Sequence, residues 1–417
     1  MNVTLYSPVL RGDIAAIPSK SEAHRLFIAA ALADKKTHIS CPVTNDDIER
    51  TAECLSALGA KIVYENGGFT VFPIVLPLSD AILPVGESGS TFRFLVPVVA
   101  ALGCGATFLM RGRLPSRPME PLAEALEKGG VTLEKSGDTL TVSGKLSPME
   151  YAVRADISSQ FISGLLFALP LVTGASVRLV GRIESAPYID MTKDTLSLFG
   201  VPVFEESGVL TVGEATYKSP QNAVTGGDYS NAAFFLAAGA VGEYPVTVTG
   251  LSPKTKQGDR AVIQILSEFG ASVEESDGRV TVSKGKMRGI RVDARDIPDL
   301  VPILAVVASF AEGETVFTGI SRLRMKESDR VASVSAMLSA LGGNCKADGD
   351  TMTVTFASLT GGRVSSAGDH RIAMSAAVAA TAIKGKVIVE GAEAVNKSYP
   401  RFFTDMKQIT VKGEVCL

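Results

Sequence analysis

The chain has few of the residues on which metal, disulfide and nucleotide chemistry usually depend. Its 417 residues include only three histidines and five cysteines, with no CxxC pair. His24, His38 and His370 show no metal-ligand spacing, which argues against the common zinc motifs. No GxxxxGK[ST], no GxSxG and no GxGxxG between a strand and a helix is present, which argues against P-loop, α/β-hydrolase and dinucleotide-binding chemistry. We therefore expect no metal and no cofactor.

Long apolar runs and an excess of positive charge are missing as well. Stretches such as AAFFLAAGAV extend for about 10 to 13 residues, too short to cross a bilayer. The beginning, MNVTLYSPVLRGD, lacks the features of a signal peptide. The chain has 41 Lys and Arg residues against 44 Asp and Glu residues, a formal net charge of −3. This balance disfavours bulk nucleic-acid binding. Together with five scattered cysteines, this predicts a cytoplasmic protein that binds small molecules, with no nucleic-acid or membrane partner.

What the sequence does contain is internal repetition. A leucine-rich segment that closes at a glycine and continues into alternating residues, as in CLSALGAKIVYENGGFTVF, occurs five times with a period of about 70 residues. Each copy predicts an amphipathic helix with a glycine C-cap, followed by a hairpin. The predicted capping glycines are Gly59, Gly130, Gly200, Gly270 and Gly343.

A second kind of segment, poor in charge and rich in Ala, Leu, Phe and Val, occurs six times. RLFIAAALA and FRFLVPVVAALG are examples. A helix that is apolar on all sides is buried, so we expect these helices at the centre of the packing. The pattern predicts an α/β protein of six βαβαββ units in two domains of three. We place the domains at residues 13–225 and at 1–12 with 226–417, linked near 12–20 and 224–228.

Polar residues precede each buried helix. The six entrances are PSKSEAHR (18–25), GESGSTFR (86–93), SSQF (158–161), GDYSN (227–231), IPD (297–299) and GDHR (368–371). These residues could be N-caps only. Helix N-termini also bind anions, however, and four cations stand at these entrances: Lys20, Arg25, Arg93 and Arg371. The combination predicts a two-domain enzyme that closes over one or two small, highly anionic substrates.

Nine motifs, adding SRPM, SAPYID, RMKESDR and NKSYP to five of these entrances, occur in order between residues 18 and 403. In this order and spacing the chain resembles the 5-enolpyruvylshikimate-3-phosphate synthase family. The resemblance implies transfer of the carboxyvinyl group of phosphoenolpyruvate to the 5-hydroxyl of 3-phosphoshikimate, with release of phosphate, in the shikimate pathway. It also implies buried helices with outer sheets (an inside-out α/β barrel), a monomer, and a phosphoenolpyruvate pocket that the herbicide glyphosate occupies.

The resemblance assigns roles motif by motif. It implies Asp299 as the base at the 5-hydroxyl, Glu327 as the acid at the methylene carbon, and Lys20 between both substrates. The residues that it implies for 3-phosphoshikimate are Lys20, Ser21, Arg25, Ser158, Ser159, Gln160, Ser185, Asp299 and Lys326. Those implied for phosphoenolpyruvate are Lys20, Gly89, Arg117, Gln160, Arg330, Arg371 and Lys397.

Three alternatives stay open. UDP-N-acetylglucosamine enolpyruvyl transferase shares the repeats, but typically has a KNAAL-type start and a loop cysteine, where this chain has SKSEAHR and RLPSRPM. A non-catalytic anion-binding scaffold would not place Asp299 and Glu327 among anions. Taken singly, Asp299 could be a helix cap, and the charges of residues 326–330 could be a solvated helix entrance. We expect Asp46 and Asp47 to cap the first surface helix.

Overall fold

The computed structural model describes all 417 residues, with twelve α-helices. In chain order the helices are α1 (Lys20–Ala31), α2 (Asp46–Ala57), α3 (Gly89–Leu102), α4 (Glu120–Lys128), α5 (Ser159–Ala168), α6 (Ala186–Leu198), α7 (Tyr229–Val241), α8 (Val262–Phe269), α9 (Val301–Ser309), α10 (Arg330–Ala340), α11 (His370–Ala380) and α12 (Phe402–Gln408). Short 3-10 turns precede several of the even-numbered helices.

Twenty-four strands accompany the helices. They are β1 (Asn2–Leu10), β2 (Gly12–Ala15), β3 (Thr37–Ser40), β4 (Lys61–Glu65), β5 (Gly68–Phe72), β6 (Ala81–Gly86), β7 (Ala106–Met110), β8 (Val131–Ser136), β9 (Thr139–Gly144), β10 (Glu150–Arg154), β11 (Ser176–Val180), β12 (Phe204–Glu206), β13 (Val209–Thr211), β14 (Asn222–Val224), β15 (Val246–Thr249), β16 (Ser272–Ser276), β17 (Arg279–Ser283), β18 (Arg291–Asp293), β19 (Glu314–Thr318), β20 (Asn344–Asp348), β21 (Thr351–Thr355), β22 (Gly362–Ser365), β23 (Lys386–Glu390) and β24 (Thr410–Cys416).

The strands form six four-stranded sheets with one shared plan. Each sheet contains one parallel pair of strands and two further strands that pair antiparallel. In three of the six sheets a buried helix joins the parallel pair and a hairpin adds the other two strands, as in β6-β7-β9-β8. The sheet orders are β14-β3-β5-β4, β6-β7-β9-β8, β10-β11-β13-β12, β16-β17-β15-β2, β18-β19-β21-β20 and β22-β23-β1-β24. The predicted α/β fold of six βαβαββ units is confirmed.

Three sheets depend on strands that are distant in the chain. β14 pairs in parallel with β3, so residues 222–224 supply the first strand of the first βαβαββ repeat. β2 pairs in parallel with β15, and β1 completes the last sheet between β23 and β24. The contacts divide the chain into an N-terminal unit, residues 18–225, and a C-terminal unit, residues 1–17 with 226–417.

The odd-numbered helices lie in the cores and the even-numbered helices are amphipathic. In α7 every residue except Ser230 is buried, as expected for a helix without a polar face. No helix of the protein combines the length and the apolar character needed to cross a bilayer.

The predicted glycine caps are found with one correction. Gly59 and Gly270, for example, have φ of +110° and +106°, a region that glycine enters without steric cost. In the fifth copy the left-handed residue is Gly342, with φ +78°, and not Gly343. The reason is the end of α10: Leu341 is its C-cap, so the chain reverses at the next residue.

Candidate active site

Capping explains five of the six entrances to the buried helices. In each, a side-chain oxygen accepts a hydrogen bond from a backbone amide of the first turn; the caps are Ser19, Ser88, Ser158, Asp228 and Asp369. The exception is α9, whose N-cap position is Leu300 and which has no side-chain cap. Asp299 therefore does not cap this helix, and its carboxylate is available for other contacts.

In the C-terminal unit, Arg330 contacts three carboxylates at once. It is the first residue of α10, and its side chain is 1% exposed. Nη1 lies 2.6 Å from Asp299 Oδ1, Nη2 lies 2.8 Å from Glu327 Oε2, and Nε lies 2.8 Å from Asp369 Oδ2. Burial alone would lower the pKa of Arg330, but Asp369, Glu327 and Asp299 outweigh it and hold the pKa well above its usual value. The predicted acid–base pair is thus joined through one guanidinium.

Asp299 also contacts the second predicted arginine. Its Oδ2 accepts a hydrogen bond from Arg371 Nη2 at 2.9 Å, and Lys326 Nζ lies 4.0 Å from Oδ1. Burial alone would raise the pKa of Asp299, but Arg371, Arg330 and Lys326 outweigh it, so the pKa lies well below the usual range. Asp299 is therefore ionised in the unliganded protein.

Lys326 and Lys397 complete the cations of this unit. Burial lowers the pKa of Lys326 to about 8, against the opposing effect of Asp299. Lys397 is buried at the end of the 3-10 turn Ala392–Lys397. The next residue, Ser398, donates a hydrogen bond to Asn231 on α7, which ties this turn to the entrance of that helix. Within residues 326–330, Asp329 caps α10 and is partly exposed, whereas the side chain of Arg330 is buried, so this helix entrance is solvated only in part.

In the N-terminal unit, Lys20 is the first residue of α1 and is held by an acid. Its Nζ lies 2.8 Å from Asp47 Oδ2, and both side chains are largely buried. Our expectation that Asp46 and Asp47 cap α2 is wrong, because the cap is Asn45, whose side chain accepts a hydrogen bond from Ile48 N. Asp47 instead reaches from the first turn of α2 to the start of α1.

Arg25 is enclosed by its own unit. Nε donates to Thr192 Oγ1 at 2.9 Å, Nη1 donates to the carbonyl of Ser21 at 2.6 Å, and Nη2 donates to the carbonyl of Tyr188 at 2.8 Å. The guanidinium carbon also lies 5.0 Å from the centre of the Phe94 ring. Burial lowers the pKa of Arg25 to about 10, which leaves the side chain cationic at neutral pH.

Gly89 and Arg117 lie against each other at the start of α3. A Cβ atom added to Gly89 would lie 2.8 Å from Arg117 Nη1. The absence of a side chain at this residue therefore gives the guanidinium its place beside the first turn of the helix, where backbone amides and a cation favour an anion.

Gln160 is oriented from two sides in the same unit. Its Oε1 accepts a hydrogen bond from Arg93 Nη1 at 2.8 Å, and its Nε2 donates to Ser90 Oγ at 2.9 Å. Arg93 Nη2 also donates to the carbonyl of Pro118, the residue after Arg117. The entrances of α3 and α5 are thus connected through side chains.

The predicted phosphate-binding serines lie at two helix N-termini. Ser158 caps α5 through the amide of Gln160, and Ser159 is the first residue of that helix. Ser185 stands at the N-cap position of α6 in a left-handed conformation, φ +57°, with no capping hydrogen bond from its side chain. All three serines are buried.

Two acids of these clusters were not assigned from the sequence. The sequence favours a capping role for Asp47 and gives Asp369 no role beyond its place in GDHR. The available signal was charge: both acids stand close in sequence to assigned groups or at helix starts, where an acid beside cations balances their charge. The pairing partners, Lys20 and Arg330, are distant in sequence from these acids, so spacing could not identify them.

Comparisons with known proteins find relatives that match nearly the whole chain. The sequence model of the family described as EPSP synthase (3-phosphoshikimate 1-carboxyvinyltransferase) matches residues 7–406. The 3-phosphoshikimate 1-carboxyvinyltransferase of Clostridium kluyveri is 37% identical over 414 residues, covering 98% of this chain and 97% of that protein. The protein of the same name from Clostridium perfringens is 38% identical over 416 residues, covering 97% and 98%.

Solved structures are similar over the whole chain. EPSP synthase from Acinetobacter baumannii superposes with a TM-score of 0.82 at 26% identity and covers 100% of both chains. The enolpyruvyl transferase NikO from Streptomyces tendae superposes with a TM-score of 0.77 at 16% identity, covering 99% and 98%. The second similarity concerns the fold alone.

Proposed function

The chain belongs to the EPSP synthase (3-phosphoshikimate 1-carboxyvinyltransferase) family, and from this membership we propose that it transfers the carboxyvinyl group of phosphoenolpyruvate to the 5-hydroxyl of 3-phosphoshikimate and releases phosphate. It is a transferase of the shikimate pathway of aromatic amino acid biosynthesis. The alternative acceptor, UDP-N-acetylglucosamine, is less well supported, because the similar curated proteins carry the 3-phosphoshikimate name.

The observation that carries the proposal is the contact of Arg330 with Asp299 and Glu327. Addition to phosphoenolpyruvate needs one group to accept the hydroxyl proton and another to deliver a proton to the methylene carbon. One buried arginine here holds two carboxylates of the predicted kind. Binding of an anion alone would gain nothing from acids placed beside the cations.

Substrate charge explains why the cations are needed. Together the substrates carry about six negative charges near neutral pH, since a phosphate has a second pKa near 6. We assign Arg330, Arg371 and Lys397 of the C-terminal unit to phosphoenolpyruvate. The resemblance also implies Lys20, Gly89, Arg117 and Gln160 for this substrate. Preorganised cations offset the repulsion between the reacting anions.

The same cations control the basicity of Asp299. In the unliganded protein Arg371 and Arg330 hold the pKa of Asp299 low, which makes it a weak base. When phosphoenolpyruvate shares these two guanidinium groups, their effect on Asp299 falls, and its pKa rises toward that of a useful base. The hydroxyl oxygen then bonds to the central carbon of phosphoenolpyruvate while Asp299 accepts its proton and Glu327 protonates the methylene. In the second step the bond between the central carbon and the phosphate oxygen breaks, Glu327 takes back a methyl proton, and the double bond is restored. The proton held by Asp299 leaves with the phosphate.

The shikimate side is assigned to the N-terminal unit. We propose that Ser158, Ser159 and Ser185 donate to the substrate phosphate, that Ser21 and Arg25 face its carboxylate, and that Gln160 reaches both substrates. Lys326 is assigned with Asp299 to the hydroxyls of the substrate's cyclohexene ring. The domain boundaries near 12–20 and 224–228 and a monomeric state stay predictions. All five cysteines are free, which agrees with the reducing cytoplasm that we propose as the location.

The test is an assay of phosphate release. Purified protein is mixed with phosphoenolpyruvate and either 3-phosphoshikimate or UDP-N-acetylglucosamine, with each substrate omitted in turn. We expect release only when phosphoenolpyruvate and 3-phosphoshikimate are both present. Release with the nucleotide sugar instead would establish the alternative, and no release with either acceptor would refute the proposed reaction.

A further inference from the structure

Asp259 is a buried carboxyl in the C-terminal unit to which the resemblance assigns no role. It lies in the 3-10 turn Gly258–Ala261 before α8 and is 1% exposed. Its Oδ2 accepts a hydrogen bond from the hydroxyl of Ser230, while its Oδ1 is buried and accepts none. Burying a carboxyl that forms one hydrogen bond is costly, so its presence calls for a reason.

Ser230 connects Asp259 to the active-site cluster. It lies in the first turn of α7, and its carbonyl oxygen accepts a hydrogen bond from Arg371 Nη1 at 3.3 Å. Arg371 Nη2 donates to Asp299 Oδ2 at 2.9 Å. One continuous chain of hydrogen bonds and covalent links therefore connects Asp259 to Asp299 through Ser230 and Arg371.

The turn that carries Asp259 is tied to the same helix entrance a second time. Gln257 Oε1 accepts a hydrogen bond from Tyr229 N at 2.9 Å, and its Nε2 donates to the carbonyl of Gly227 at 2.9 Å. Two side chains of residues 257–259 therefore hold residues 227–230 on both sides of the helix start. The arrangement restricts where the carbonyl of Ser230 can lie.

Electrostatics agree with a neighbourhood shared with Asp299. Burial is the main cause that raises the pKa of Asp259, to about 7, and the negative charge of Asp299 adds to it, while Arg371 opposes both. When two carboxyls share one site, the group with fewer ion pairs is the one that gains the proton. Asp299 contacts Arg330 and Arg371 directly, whereas the hydrogen-bond donor to Asp259 is the hydroxyl of Ser230. Asp259 is therefore the carboxyl that gains the proton.

We propose that Asp259 is a positioning residue for Arg371. By holding Ser230, it fixes the carbonyl oxygen that orients the Arg371 guanidinium. It thereby sets the position in which Arg371 meets phosphoenolpyruvate. The inference rests on the proposed function, in which Arg371 binds phosphoenolpyruvate. Asp259 itself touches no reacting atom in this scheme.

The test compares two changes at Asp259. Asp259→Ala removes the acceptor of the Ser230 hydroxyl, and we expect the KM for phosphoenolpyruvate to rise about three- to tenfold, the range for one lost hydrogen bond, with a smaller change in kcat. Asp259→Asn keeps an acceptor oxygen, and because Oδ1 accepts no hydrogen bond, an amide nitrogen there breaks none. This variant should restore the KM to near the wild-type value.

Ser230→Ala and Ser309→Ala provide a second, independent comparison. Ser230→Ala removes the donor and should raise the same KM in a protein that melts near the wild-type temperature. Ser309→Ala removes a buried hydroxyl that bonds only to the carbonyl of Ala305 in its own helix, and it should leave the KM unchanged. If Asp259→Ala does not fold, the Ser230→Ala result decides.

An unchanged KM for phosphoenolpyruvate in Ser230→Ala, or in a folded Asp259→Ala, would overturn the inference. An equal rise in Ser309→Ala would do the same, since the effect would then be general loosening of the core. Wild-type protein that releases no phosphate from the two substrates would instead refute the proposed function itself.

Discussion

Replacing Gly89 with alanine places a methyl group against the guanidinium of Arg117. The added Cβ would lie 2.8 Å from Nη1, 3.2 Å from Cζ and 3.4 Å from Nη2. Ordinary van der Waals contact begins near 3.4 Å, so Nη1 must move by about 0.6 Å. Gly89 does not have a left-handed backbone, and the atoms that must move are the end of a flexible side chain. The variant should therefore fold, and the strain should appear as a displaced guanidinium.

Under the proposed assignment of Arg117 to phosphoenolpyruvate, a displaced guanidinium should weaken the binding of this substrate. Hydrogen bonds to charged groups are worth about 1.5 to 3 kcal/mol, and losing the lower amount corresponds to about a tenfold change in affinity. We therefore expect the KM for phosphoenolpyruvate to rise about tenfold. Glyphosate is longer, so it should also meet the methyl group directly, and its inhibition constant should rise by a larger factor.

Steady-state kinetics on four proteins test this reasoning: wild type, Gly89→Ala, Arg117→Ala and the double variant. If Gly89 acts through Arg117, adding Gly89→Ala to Arg117→Ala should change the KM for phosphoenolpyruvate little, because the displaced group is already gone. Fully additive losses would show that the methyl group acts elsewhere. Equal factors for substrate and glyphosate, or a larger factor for the substrate, would remove Gly89 from the wall of the pocket.

Three further predictions concern titratable groups. Asp299→Asn should lower turnover about 10²- to 10⁴-fold, as for removal of a general base, while the calorimetric affinity for 3-phosphoshikimate changes far less; near-normal turnover would contradict the mechanism. Because the pKa of Lys326 is lowered to about 8, kcat/KM for 3-phosphoshikimate should fall as pH rises through that value, and Lys326→Arg should abolish the fall; the same profile in both proteins would contradict the assignment. Burial lowers the pKa of His24 to about 3, whereas the same histidine in the unfolded chain has an ordinary pKa near 6.5. As pH falls below about 6.5, the unfolded chain therefore takes up a proton that the folded chain does not. The free energy of unfolding should decrease by about 2 kcal/mol at pH 5. Tm measured from pH 7.5 to 5 should fall less steeply for His24→Asn than for wild type, and equal slopes would count against a neutral buried His24.

Much of the fold could be predicted from local patterns. Six charge-poor segments identified six buried helices, and the glycine-terminated leucine segments identified the surface helices and hairpins that follow them. The one error among the glycine caps, Gly343 predicted where the structure has Gly342, arose because adjacent glycines offer two positions for a left-handed residue. Only the hydrogen bonds at the end of α10 select between them.

The candidate site was predicted in part. The family resemblance singled out Asp299 before α9, and Glu327 and Arg330 at the start of α10, and their roles stay predictions. The partners that orient them were not predictable: Asp369 holds Arg330 from 39 residues away, and Asp47 holds Lys20 from 27 residues away. A charge in a sequence shows that a partner is needed and does not show which one is near.

The sequence by itself determined the repeat, the class of each element and the residue types of the chemistry, because hydrophobic period, capping and motif order act over a few neighbouring residues. The tertiary structure alone decided which strand completes which sheet: β1 closes the last unit and β14 opens the first. It also decided that Asp299 contacts two arginines and does not cap α9. These outcomes depend on which distant backbone edges and charges meet when the core is buried, and burial brings together groups that no local pattern pairs.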